Sequence, residues 1–214
     1  FVDFIIKFHL LYATCDIKCK CKLKSKAALK SKSTKKNDTC SIIKSSKDTR
    51  NVFIPRFAEY EEKKYKIISF DSGAFSGCNI DSLSFAEDSE FEMFEGYCFY
   101  GAHIKKLRIP PSVKYMKNGW CNSLHELNEI EISPDNQHFI FYNNEFLLGK
   151  SSDNIEKFDV LHYAQFDIKE AVIPAQVSVI KQMSFNYHKN LKSVKFSPNS
   201  ELKCIEDYAF ADSS

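Results

Sequence analysis

The chain has 214 residues, 43% of them apolar and 19 of them Phe, enough for one or two domains with a sizeable core. With 6 Gly and 6 Pro it is neither collagen-like nor of low complexity. Its formal charge of +2 hides a split: residues 1–50 hold 13 Lys/Arg against 4 Asp, and everything beyond holds 17 basic and 24 acidic side chains.

That split sets a boundary near residue 50, between a basic arm (1–50) and a mildly acidic body. The chain opens on Phe1 rather than Met and reads as a fragment. Residues 1–12 are apolar apart from Asp3, Lys7 and His9. That is far short of the ~20 apolar residues a spanning helix requires. The stretch reads as a short buried or frayed segment, or as the remnant of a signal-peptide core ahead of Ala13-Thr14-Cys15.

Residues 18–36 are dense in Lys: Lys18, Lys20, Lys22, Lys24 and Lys26 alternate with Cys19, Cys21, Leu23 and Ser25. So much like charge with so little apolar surface predicts a disordered arm. A weak contact with a polyanion through residues 18–36 is the one partner it suggests. Cys15, Cys19, Cys21 and Cys40 do not form two close pairs with a supporting His, so no metal site is expected. Asn37-Asp38-Thr39 is a glycosylation sequon, of consequence only in a secreted chain.

Residues 51–66 read as a lead-in or cap, and 67–214 as a repeat. The pattern apolar-x-x-apolar-x-apolar occurs at Ile80/Leu83/Phe85, Ile104/Leu107/Ile109, Leu127/Ile130/Ile132, Ile168/Ala171/Ile173 and Leu191/Val194/Phe196. First members lie 24, 23, 41 and 23 residues apart, and the long interval equals one repeat plus an insertion. A small residue and an aromatic sit together at Ala74-Phe75, Cys98-Phe99, Ser184-Phe185 and Ala209-Phe210, with Trp120-Cys121 in the equivalent place. Pro110 and Pro174 directly follow a triplet, and Pro134 and Pro198 follow one residue later, where proline stops a strand. The fold class that follows is a repeat solenoid, mainly β with short helical or turn segments, in leucine-rich-type repeats of about 23 residues.

Residues 133–167 interrupt the grid. His138 to Leu148, hinged at Asn143-Asn144, predicts a β-hairpin, because Asn tolerates the positive φ of a tight turn. Phe158 to Tyr163 predicts a further strand. The pattern ends at Ser214, where another strand is due, so the stack reads as truncated and uncapped, with self-association possible at that end.

Gly73-Ala74-Phe75-Ser76-Gly77-Cys78, Ile104-Lys105-Lys106-Leu107-Arg108-Ile109-Pro110 and Ser200 to Phe210 resemble the BspA-type leucine-rich repeat. Pro111 to Met116 and Ala175 to Ile180 resemble its S-V-x-x-I step, so the likeness runs over about residues 66–214. Two positions depart from it: Ala171 is small where a large aliphatic is usual, and Cys121 replaces Phe. BspA-like proteins are known as surface proteins of anaerobic bacteria and are expanded in mucosal protist parasites. The resemblance implies a surface antigen or adhesin that binds host or matrix proteins. The alternative is an intracellular, cytoplasmic scaffold whose basic arm binds polyanions.

If the triplets are strands, residues beside the inward positions point out. The candidate binding face is then Ser82, Ser84, Lys106, Arg108, Glu129, Glu131, Glu170, Val172, Ser193 and Lys195. No phosphate loop, nucleophile elbow or H-E-x-x-H sequence is present, and no enzyme activity, cofactor or small-molecule substrate is expected. Cys78, Cys98, Cys121 and Cys204 fall on repeat positions, which predicts burial along the stack rather than disulfide pairing.

Overall fold

The structure, a computed structural model, describes residues 2–10, 13–21, 38–45, 50–60 and 62–213, with the first two segments and Tyr60 as backbone only. The chain begins with β1 (Val2–Leu10) and β2 (Ala13–Cys21), then β3 (Thr39–Ser45) and β4 (Asn51–Ile54). β5 (Phe57–Tyr60) folds back on β6 (Lys63–Phe70), which leads to β7 (Asn79–Phe85). Next come β8 (Met93–Phe94) with β9 (His103–Ile109), and β10 (Tyr115–Met116) with β11 (Glu129–Ile132). After the insertion strands β12 (Phe139–Tyr142) and β13 (Phe146–Gly149), β14 (Val160–Ala164) leads to β15 (Glu170–Ile173). β16 (Val179–Ile180), β17 (Ser193–Phe196) and β18 (Cys204–Ile205) complete the order.

These strands stack as two parallel ladders. The first runs β4-β7-β9-β11 and resumes as β15-β17; the second runs β3-β6-β8-β10 and resumes as β14-β16-β18. The register is the one the triplets predict: Leu83 opposite Leu107, Leu107 opposite Ile130, and Ala171 opposite Val194. Four strands of the first ladder end at Ile109, Ile132, Ile173 and Phe196, one or two residues before a proline. A leading unit (β3, β4) thus precedes units one (β6, β7), two (β8, β9), three (β10, β11), four (β14, β15) and five (β16, β17), and β18 opens a sixth.

Between the second-ladder strand and the first lies a corner. The expectation of short helical or turn segments resolves to turns; among the described residues no helix forms. Five corners, those of units one, two, three, five and six, are bracketed by two left-handed residues four apart: Gly73/Gly77, Tyr97/Gly101, Gly119/Ser123, Met183/Tyr187 and Tyr208/Asp212. The enclosed small–aromatic pair points into the core, and its backbone bonds the next unit, as Phe75 N does to Cys98 O (2.8 Å) and Phe185 N to Ala209 O (2.8 Å). Ala74, Phe75, Cys98, Phe99, Trp120, Cys121, Ser184 and Phe185 are all buried. Phe70, Phe75, Phe91, Phe94, Phe99 and Trp120 form a continuous aromatic spine, with Phe70 4.8 Å from Phe75 and 4.5 Å from Phe91.

Three expectations are corrected. Part of the predicted arm is ordered as strand: β1 and β2 pair antiparallel, β2 pairs with β3, and Cys40 and Ile42 of β3 lie in the core. The physical reason is alternation, since Ile17, Cys19 and Cys21 separate the lysines at the period of a strand. The Lys-rich stretch 22–36 and Asn37 lie outside the described residues. Residues 51–54 are no mere lead-in but a full rung, with Val52 opposite Leu83 and Ile54 opposite Phe85. Lastly, β14 belongs to the second ladder, so the insertion proper is 133–159.

Asn143 and Asn144, at φ 51° and 56°, close the predicted hairpin. The two ends of the insertion are tied by buried polar side chains. Asn136 Nδ2 donates to Pro110 O (2.8 Å), and its Oδ1 accepts from His138 N and Phe139 N. Asp159 accepts from Ser151 N, Ser151 Oγ and Ser178 Oγ, each at 2.9 Å. Burial would raise this carboxyl; those hydrogen bonds hold it below its ordinary value.

Candidate binding face

All ten candidate residues occupy first-ladder strands, and the register sorts them into two columns. Asn51, Ser82, Lys106 and Glu129 are successive partners in one; Phe53 pairs with Ser84, and Arg108 with Glu131, in the other. Between the columns Leu83, Leu107 and Ile130 face inward and are buried. The alternation is a direct consequence of the pleat.

The first ladder breaks after β11, because the insertion intervenes. Six candidates therefore share one sheet, whereas Glu170, Val172, Ser193 and Lys195 sit on a separate two-stranded sheet. Val172 is half exposed (50%), while the Ser193 hydroxyl is buried without a hydrogen-bond partner.

Charges on this face are fixed by partners one unit away. Lys106 Nζ donates to Glu129 Oε1 (2.8 Å) and Glu131 Oε1 (2.7 Å), and Arg108 Nε lies 3.9 Å from Glu131 Oε2. The hydrogen bonds it donates to Glu129 and Glu131 raise the Lys106 ammonium, and the one from Lys106 lowers the Glu131 carboxyl. Lys105 to Asp81 (2.7 Å), His103 to Glu126 (2.8 Å) and Lys195 to Glu170 (3.4 Å) repeat the arrangement. Such exposed pairs are screened by solvent, so their effect is to hold side chains in place rather than to stabilise the fold.

Two residues of this face escape the triplet search. Asn51 bonds Ser82 Oγ (2.7 Å), and Phe53 is 42% exposed, giving the face one aromatic. The signal was present in Val52-Phe53-Ile54-Pro55, which has the strand-then-proline form of Leu107-Arg108-Ile109-Pro110. It lies 31 residues before its partner rather than 23, which hid it.

Groups capable of chemistry are mostly interior. Burial pushes the Cys121 thiol up to about 12 and Cys98 well above its ordinary value, while His162 is pushed down to about 3. Cys78, Cys98 and Cys121 are buried as predicted, but Cys204 is exposed, because it lies on the last second-ladder strand with a rung on one side only.

The family described as BspA type leucine rich repeat region matches residues 61–159 and 156–214, in six copies. Among solved structures the chain is similar to a leucine-rich repeat protein from Eubacterium ventriosum: 24% identity, TM-score 0.53, over 68% of this chain and 42% of that one. It thus spans less than half of that relative's length. A leucine rich cell surface protein from Faecalibacterium prausnitzii shares 14% identity over 78% of this chain and 72% of its own, at TM-score 0.43. No curated protein matches the sequence. Repeat register, corner motif and family match agree: the chain belongs to the BspA-type leucine-rich repeat family.

Proposed function

We propose that this chain is a protein-binding leucine-rich repeat module displayed at a cell surface, as an antigen or adhesin, with the outer first-ladder face as its contact surface. The observation that carries the reading is the two-column array in which Lys106, Arg108, Glu129 and Glu131 are held by one another. Preorganised charged side chains lose little entropy on binding and confer specificity. Family membership supports the surface role. Wild-type chain and an Arg108→Ala/Glu131→Ala variant are compared for retention of immobilised matrix and host-surface proteins. Loss of at least tenfold in affinity supports the face; unchanged retention of every partner removes it. Labelling of intact cells that carry the full-length protein tests the location.

Two further contacts belong to this reading. Residues 18–36 would give weak, salt-dependent binding to polyanions, which is also what a cytoplasmic scaffold would use. Self-association would run through the last rungs, where Phe196 and Ile205 are exposed.

A further inference from the structure

The corner of unit four is shorter than those of units one, two, three, five and six. From the second-ladder strand to the core residue of the corner there are five residues in units one, two, three, five and six: Phe70 to Phe75, Phe94 to Phe99, Met116 to Cys121, Ile180 to Phe185, Ile205 to Phe210. In unit four Leu161 is only three residues from Ala164, whose N–H bonds Ser184 O as Phe185 N–H bonds Ala209 O. Among the described residues unit four has no left-handed corner position. Unit three consequently meets unit five directly: Cys121 Sγ lies 3.6 Å from Met183 O, and Asn186 Nδ2 donates to Asn122 Oδ1 (2.9 Å).

On that edge opens a notch of about 360 Å³, lined by Asn118, Gln182, Ile205, Glu206, Asp207 and Tyr208. Asn118, Gln182 and Asp207 are the residues just before the corner positions Gly119, Met183 and Tyr208, so they form a row across three units. The side-chain amides of Asn118 and Gln182 make no hydrogen bond to the described residues. Glu206 is already engaged by Lys181 Nζ and Gln182 N. Tyr208 is 66% exposed and stands, at φ 58°, where units one and three have Gly73 and Gly119. A bulky side chain is disfavoured in that conformation, so the ring is not there for backbone reasons.

We propose that this notch binds a neutral glycan. Its lining offers what a sugar presents in complement: an exposed ring for the C–H face, and two amides and a carboxylate for the hydroxyl edge. An anionic ligand would meet Asp207 and Glu206. A peptide anchored by an apolar side chain would find one aliphatic residue, Ile205.

The test is calorimetric titration of the whole chain with lactose, maltotriose, mannotriose and chitotriose, with sialyllactose as the anionic comparator. A saturable isotherm with at least one neutral sugar is expected, weakened roughly tenfold by Tyr208→Ala and by Asn118→Ala. Tyr208→Phe and Arg108→Ala should leave it unchanged, the latter separating this site from the ladder face. All three positions are at the surface, and circular dichroism checks that the four variants fold. No saturation by any neutral sugar, equal binding by the Tyr208→Ala and Asn118→Ala variants, or tighter binding of sialyllactose than lactose overturns the assignment.

Discussion

Leu147 and Leu148 are adjacent and both wholly buried, yet they belong to different hydrophobic cores. β13 lies between the two cores, and its alternating side chains enter them in turn. β12 does likewise: Phe139 and Phe141 pack with the first core, Ile140 and Tyr142 with the second. The insertion is an interior layer that closes one stack of repeats and opens the next. Leu147→Ala and Leu148→Ala should each cost about 2–5 kcal/mol. Because one strand joins both cores, each variant should shift a single calorimetric transition. Two separate transitions would show that the layer does not couple the stacks.

The inward–outward alternation has its sharpest contrast at neighbouring positions of β9. Leu107 is wholly buried and Arg108 is exposed. Leu107→Asp leaves an unpaired buried charge and should cost several kcal/mol, whereas Arg108→Glu should stay within roughly ±0.5 kcal/mol. Urea titrations of the two variants decide it, and equal destabilisation would show that the strand does not alternate.

Acid should weaken the fold through its histidines. Burial lowers His162 to about 3, and lowers His188 and His125 below their ordinary value. The folded state therefore binds fewer protons than the unfolded chain, whose histidines titrate near pH 6.5. Stability is fully present above that pH and declines as pH falls below it. Thermal melts at pH 7.5 and 5.0 should show a lower midpoint in acid, with a smaller loss in His162→Leu. An unchanged midpoint would mean that the histidines are not buried as neutral groups.

Cysteine reactivity should follow burial. In the native chain Cys98 and Cys121 should resist iodoacetamide while Cys204 reacts; all three should react once the chain is unfolded. Peptide mass spectrometry reads this directly. Rapid native labelling of Cys121 would contradict its place beside His162 O, 3.5 Å from Sγ.

Corner geometry gives a further check. Gly119 has φ +73°, and an added Cβ would sit 2.9 Å from Tyr97 Cζ. Gly77 has φ +65° with nothing within 4 Å. Both Gly→Ala changes incur the left-handed penalty of about 1–2 kcal/mol, and Gly119→Ala should lower the melting point further by displacing Tyr97. Equal melting points would remove the Tyr97–Gly119 contact.

Much of this fold was legible because it repeats. Leu83, Leu107 and Ile130 recur at an interval that chance does not reproduce, and Ile109-Pro110 marks where each strand stops. The leading unit was not legible, since Val52 precedes its partner by 31 residues and only one such interval exists to learn from. Charge density obscured β2, although Cys19 and Cys21 alternate with lysines as a strand requires. The division of the candidate face into two sheets was hidden too. An interval of 41 residues predicts an insertion, but not that its strands separate Glu131 from Glu170.

The central claim is that partners meet the outer first-ladder face. Hydrogen–deuterium exchange of the chain with and without a captured protein partner tests it most directly. Protection is expected over residues 82–84, 106–108 and 129–131, with the corners at 97–101 and 183–187 unchanged. Protection confined to those corners, with the first ladder exchanging as in the free chain, would contradict the account.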